Sequence, residues 1–150
     1  MSFLHHRDTE AQRKASRLAG MGLVNPEHER DPLTQRIIGA AIEVHKSLGP
    51  GLLEAVYEQC LAIELVHRGL NVLRQVNVPI VYREVTIDAA YRADMVVDDL
   101  VVLELKAVEV VLPVHEAQLL SYMRLLNKRV GLLLNFHVPV MTKGIYRRVL

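Results

Sequence analysis

From Leu33 onward the apolar residues fall at helical spacing: Leu33, Ile37, Ala41, Val44 and Leu48, accompanied by Ile38, Ile42 and His45. Steps of three and four residues predict a first helix, opened by Asp31 or Thr34 as cap and stopped by Gly49-Pro50-Gly51. Leu53, Val56, Tyr57, Cys60, Leu61, Ile63 and Leu65 carry a second helix to about His67, where Gly69 offers the left-handed conformation that closes many helices. The pattern then turns β-rich, with runs over Asn71 to Val76, Val78 to Tyr82, Val85 to Ala89, Tyr91 to Val97 and Leu100 to Val108. Asp98-Asp99 reads as a hairpin turn, which sets the Asp94 strand antiparallel to the strand of Glu104. Pro113 starts a helix over Val114 to Leu126, and the apolar run Val130 to Leu134 is of strand length, so strand, helix and strand imply a crossover to a parallel partner. The coarse order is α-α-β-β-β-α-β with a short tail, Thr142 to Leu150.

Residues 1–32 lack this periodicity. They mix charges, three histidines, Gly20, Gly22, Asn25-Pro26 and Asp31-Pro32, and read as a mobile leader with a short helix over Glu10 to Leu18. The expected organisation is therefore a leader, 1–32, and one domain, 33–150. Charge changes little in this picture: 18 Lys and Arg balance 17 Asp and Glu to a net +1, so any contact with a polyanion has to come from a local cluster. Within 33–150 the only clusters are Lys128-Arg129, Lys143 and Arg147-Arg148. The single cysteine, Cys60, excludes an internal disulfide and a cysteine-held zinc or iron-sulfur centre, and sits among core-spaced residues. No run reaches the roughly 18 to 20 apolar residues of a membrane span, and no secretory signal opens the chain. The expectation is a cytoplasmic protein without a membrane partner.

Chemistry enters with Glu104-Leu105-Lys106, set inside the apolar run from Leu100 to Val108. Side chains alternate along a strand, so Glu104 and Lys106 leave one face together while Leu103 and Leu105 leave the other. Buried charge is costly unless paired, hydrogen-bonded or bound to a metal. Asp94, in the preceding strand, brings a second acid to the same place. Asp followed one hairpin later by Glu-x-Lys is the arrangement that holds a divalent ion and a water for phosphodiester hydrolysis; a buried Glu-Lys pair without chemistry is the alternative. A hard ion such as Mg²⁺ takes oxygen ligands, which Asp94, Glu104 and the backbone carbonyl of Leu105 supply. Lys106 is then placed to orient or help deprotonate the attacking water and to stabilise the pentacovalent phosphate.

Other residues keep two readings. Glu54 lies in the first turn of the second helix, where the helix dipole favours a carboxylate whether or not it serves as a ligand. Gln118 and Tyr122, four apart, share a helix face and either contact a phosphate or base or only pack. Arg92 shares the strand face of Asp94 and either pairs with an acid or meets a phosphate. His45, His115 and His137 fall at no metal-binding spacing; His115 is the one near enough for an acid role. Gly49-Pro50-Gly51 is no phosphate loop, and Ser47 and Ser121 sit in no nucleophile elbow, so nucleotide-driven and serine-hydrolase chemistry find no support.

Gly51-Leu52-Leu53-Glu54-Ala55-Val56-Tyr57 reads as Gly-x-x-Glu-x-x-Tyr, preceded by Val44 to Gly51 and followed in order by Tyr91-Arg92-Ala93-Asp94, Glu104-Leu105-Lys106-Ala107, Gln118 to Tyr122 and Gly131 to Phe136. In this order the segments from about Leu33 to Leu150 resemble the GxxExxY proteins of the PD-(D/E)XK nuclease-like superfamily, and the motif order is similar to that of RecB-type nucleases. The resemblance implies an α/β fold, a mixed central sheet of about four or five strands flanked by helices in a restriction-endonuclease-like core. It also implies a Mg²⁺ or Mn²⁺ site of Glu54, Asp94 and Glu104 with Lys106 beside it, and substrate binding or site support from Gln118, Tyr122, Arg92 and Tyr57. With Cys60 alone, the iron-sulfur cluster of some RecB-type nucleases is excluded.

Two functions from different classes follow. One is a metal-dependent nuclease acting on DNA ahead of RNA, its missing grip supplied by a homodimer. The other is a catalytically silent nuclease-fold module that binds nucleic acid or a protein; an assembly protein joined through apolar surface is a third.

Overall fold

The computed structural model describes residues 31–150. The leader expected over 1–32, with its helix over Glu10 to Leu18, lies outside the described residues except for Asp31 and Pro32. Two helices come first, α1 (Pro32–Leu48) and α2 (Glu54–His67). Asp31 caps α1, its Oδ1 accepting the Thr34 amide at 2.7 Å. Between the helices, Gly49 and Gly51 take φ values of 71° and 97°, a left-handed backbone that residues with a side chain resist. That turn is what lets α2 start within a few residues of the end of α1.

The sheet is built from β1 (Val72–Asn77), β4 (Arg92–Val97), β5 (Val101–Lys106), β6 (Val130–Asn135) and β7 (Ile145–Val149), in the order β1-β4-β5-β6-β7. The β4–β5 pair is antiparallel, as the hairpin reading requires. Its turn carries Asp98 and Asp99 at positive φ and is closed by the Leu100 amide on the Val97 carbonyl at 3.0 Å. The β5–β6 pair is parallel, connected through α3 (Pro113–Leu125). The mixed sheet with helices thus matches the expected α/β class.

β5 is the central strand, and alternation decides what each of its faces does. Val102 packs with Val96, Leu133 and the α3 residues Leu119, Tyr122 and Met123. Leu103 and Leu105, on the other face, are fully buried, and α2 packs on β1 and β5. Each such aliphatic chain taken from water stabilises the fold by roughly 1.5–3 kcal/mol. Closeness of α3 to the sheet depends on Gly131, where an added Cβ would stand 2.5 Å from Met123 Sδ and 2.9 Å from Leu119 Cδ1.

Two segments depart from the sequence reading. The runs Val78 to Tyr82 and Val85 to Ala89 do not join the main sheet. They form a separate two-stranded ribbon, β2 (Ile80–Tyr82) with β3 (Val85–Ile87), turned at Arg83 and Glu84, both at positive φ. The expected tail instead holds a 3₁₀ turn, Met141–Gly144, and the edge strand β7, antiparallel to β6.

Candidate active site

The site begins where the sheet stops being regular. On the β1 side the ladder pairs Val76 with Ala93 and Arg74 with Met95 but steps over the row between them, Gln75 opposite Asp94. On the β5 side it ends at Met95 and Leu103, one row before Asp94 and Glu104. Gln75 takes a φ of 51°, a conformation that costs a non-glycine residue about 1–2 kcal/mol. Asp94 is therefore released from strand pairing on both sides.

Side chains replace the missing ladder bonds. The Asp94 amide donates to Glu104 Oε1 at 3.1 Å, and the Leu105 amide donates to Asp94 Oδ2 at 2.7 Å. Each carboxylate holds the backbone at the other, which satisfies amides the open ladder would leave unpaired. In an extended residue the N–H and C=O leave toward the same neighbour. The Leu105 carbonyl accordingly opens to the same gap as Asp94.

Electrostatics follows from this crowding. Glu104 is only 3% exposed. Burial first and then the Asp94 charge push its pKa up to about 8, against the Asp94 amide and the Lys106 charge, which favour the ionised form. Asp94 is raised as well, again chiefly by burial, and is opposed most by the Leu105 amide. The two carboxyls lie close enough to share a hydrogen bond, so without a cation burial and mutual repulsion favour a proton held by the pair.

Glu54 reaches the same field from α2. Its pKa is raised by burial, lowered by Lys106 and raised again by Asp94 and Glu58. Its place is set by Tyr57, whose hydroxyl donates to the Gly49 carbonyl at 2.6 Å and accepts the Leu52 amide at 3.1 Å. The Tyr57 ring is fully buried and stacks on Phe136 with centroids 4.6 Å apart. A clasp of this kind fixes the turn from which Glu54 starts.

Lys106 ends β5, half-buried, its ammonium making no hydrogen bond or ion pair among the described residues, while its charge acts on Glu54, Asp94 and Glu104. The strand end is secured around it: the Phe136 amide donates to the Lys106 carbonyl at 2.8 Å, and buried Asn135 bonds both the amide and the carbonyl of Val108, at 3.0 and 2.9 Å. Tyr122 faces the acids from α3. Burial, Glu104, Tyr91 and Asp94 raise its pKa, and Gln118 hydrogen-bonds its side chain. Arg92 is exposed at the start of β4 and unpaired among the described residues. His115, by contrast, is occupied at the start of α3, its Nδ1 accepting the Leu112 amide at 3.0 Å.

Two residues escaped the sequence reading. Glu58 is buried one turn after Glu54; its Oε2 takes Arg74 Nη2 at 2.8 Å and its Oε1 takes Gln75 Nε2 at 2.7 Å. Its signal was a carboxylate on the buried stripe of α2, four residues from Glu54, beside Tyr57 and Leu61. Gln75 had none, because nothing local marks a glutamine for left-handed backbone. Two basic clusters found in sequence are engaged elsewhere: Arg148 pairs with Glu116, and Lys128 with Asp99 at 2.8 Å.

Asp94 and Glu104 are an all-oxygen donor pair short of positive charge, and that suits a hard divalent ion, which keeps several waters and needs few protein ligands. Among the described residues no three His, Cys, Asp or Glu side chains converge on a ready metal cage, so such an ion would complete its shell with water or substrate. No helix among them is long and apolar enough to cross a membrane. Among known families, the model for the PD-(D/E)XK nuclease superfamily matches residues 31–149. No curated protein and no solved structure matches the chain.

Proposed function

Because the chain belongs to the PD-(D/E)XK nuclease superfamily, we propose that its acid cluster hydrolyses phosphodiester bonds with a divalent cation, in DNA ahead of RNA. Membership of that superfamily implies a nucleic-acid substrate. The observation that carries the proposal is the crossed pair of Asp94 and Glu104, held apart from the ladder by 3.1 and 2.7 Å bonds, with the unpaired Lys106 charge beside it. Within the superfamily we group the chain with the GxxExxY proteins on Gly51, Glu54 and Tyr57, and we put DNA first on its likeness in motif order to RecB-type nucleases.

Asp94, Glu104 and the Leu105 carbonyl would hold Mg²⁺ or Mn²⁺, with Glu54 reaching the ion through water, and the ion would supply a Lewis acid to neutralise charge on the scissile phosphate. The protein does the rest. Lys106 orients the attacking water and offers its ammonium to the charge that builds on the phosphate. The acid pair would release its shared proton to solvent as the ion binds. Gln118 and Tyr122 position the phosphate or an adjacent base from α3, Arg92 meets a neighbouring phosphate, and Tyr57 keeps Glu54 in place.

A nuclease panel tests this: linear, nicked, branched and single-stranded DNA and RNA with Mg²⁺ or Mn²⁺, for wild type, Lys106→Ala and Glu104→Ala. Cleavage by wild type that both substitutions abolish supports the proposal. Equal cleavage by all three, or none by any, refutes it.

A further inference from the structure

The excursion between β1 and β4 leaves the sheet after Asn77 and returns at Arg92, the last paired row, so it stands at the sheet end that carries Asp94. Among the described residues the only exposed Tyr or Phe rings are on this excursion, Tyr82 at 67% and Tyr91 at 48%. By register, Tyr82 faces Val85 and Ile80 faces Ile87, which gives the ribbon one continuous apolar face. A lone two-stranded ribbon is marginal in water, and an apolar face on it is a liability unless something covers it.

The occupant is marked by chemistry at both ends of the excursion. At the tip, the Arg83 guanidinium lies 5.8 Å from the Tyr82 ring centroid. At the base, Tyr91 stands against Tyr122 with centroids 6.3 Å apart, and the Asp94 and Glu104 charges act on Tyr122. Exposed rings thus stand at the ribbon tip and at its base, and the ring at the base touches Tyr122, which faces the acid pair. Arg83 and Glu84, Asp88 and Arg92 cancel along it, so it cannot hold a polyanion by charge. Exposed rings can still stack on unstacked bases, a contact every sequence offers because each base has a π-face.

We infer that the β2–β3 ribbon is a stacking arm for unpaired bases, with Tyr82 and Tyr91 leading a single strand or frayed end to the acid pair. This rests on the nuclease reading and narrows its substrate to nucleic acid with unpaired bases. A second copy of the chain, docked ribbon to ribbon, is the competing occupant.

Fluorescence anisotropy in EDTA, so that nothing is cut, tests it with a labelled 20-nucleotide single strand and the matching blunt duplex. Tyr82→Ala, Tyr91→Ala and the two Phe variants are compared with wild type, with melting curves and sedimentation on each. The expected result is single-strand binding about tenfold tighter than duplex, weakened about tenfold by each Ala variant and kept by each Phe variant. Folded Ala variants that bind like wild type overturn it, as does a wild type that binds neither nucleic acid. Ala variants that turn a dimer into a monomer without changing single-strand binding overturn it in favour of the second copy. The nuclease panel separates the two claims: cutting that ignores both tyrosines removes only the arm, while ring-dependent binding without any cutting removes only catalysis.

Discussion

Glu104 accepts the Asp94 amide, and Asp94 in turn accepts the amide of Leu105, the residue next to Glu104. Two acids thereby stand in for a missing row of the ladder, and the sheet itself supplies the rigid frame of the site. The cost of the arrangement is electrostatic, and it is visible in titration.

The first prediction concerns pH. Glu104 ordinarily titrates at 4.5 and is pushed up to about 8 in the folded chain. Between those values the folded state holds a proton that the unfolded chain has released, so stability falls as pH rises. Metal-free protein should lose on the order of a few kcal/mol between about pH 4.5 and pH 8. Glu104→Gln, which keeps an acceptor for the Asp94 amide and no longer titrates, should flatten most of that slope. Urea unfolding midpoints across the range give the answer.

Lys106 should matter to reaction and little to folding. Its ammonium makes no hydrogen bond or ion pair among the described residues. Lys106→Ala is expected to lower cleavage by about 10² or more while moving stability by about 1 kcal/mol or less. Rates and melting curves on the same preparations check both halves.

Tyr57 should behave in the opposite way. Tyr57→Phe keeps the stack on Phe136 but removes the partner of the Gly49 carbonyl and of the Leu52 amide. A loss of about 1–3 kcal/mol in urea unfolding is expected. Cleavage should also drop, because the turn before Glu54 loses its clasp, though less than in Lys106→Ala.

How far these features could be read in the chain depends on what fixes each one. Helices and buried strands were legible, since the periodicity from Leu33 to Leu48 and the apolar run around Glu104 are local properties. Asp94, Glu104 and Lys106 stood out because charge inside such a run demands an explanation. β7 did not, because an edge strand is only half-buried and Arg147 and Arg148 interrupt its apolar pattern. The ribbon read as sheet for a related reason: strand propensity in Val81, Tyr82 and Val85 says nothing of which partner a strand finds. Gln75 and Glu58 owe their roles to tertiary geometry, one to a gap in the ladder and the other to Arg74 and Gln75 arriving from β1.

The central claim is that the Asp94–Glu104 pair exchanges its proton for a divalent ion. Calorimetric titration of Mn²⁺ at pH 7, in two buffers of different ionisation enthalpy, measures ion and proton together. The account predicts saturable binding with release of about one proton per ion bound, lost in Asp94→Asn and Glu104→Gln. Absence of binding heat in wild type, or binding that survives both substitutions, would contradict it.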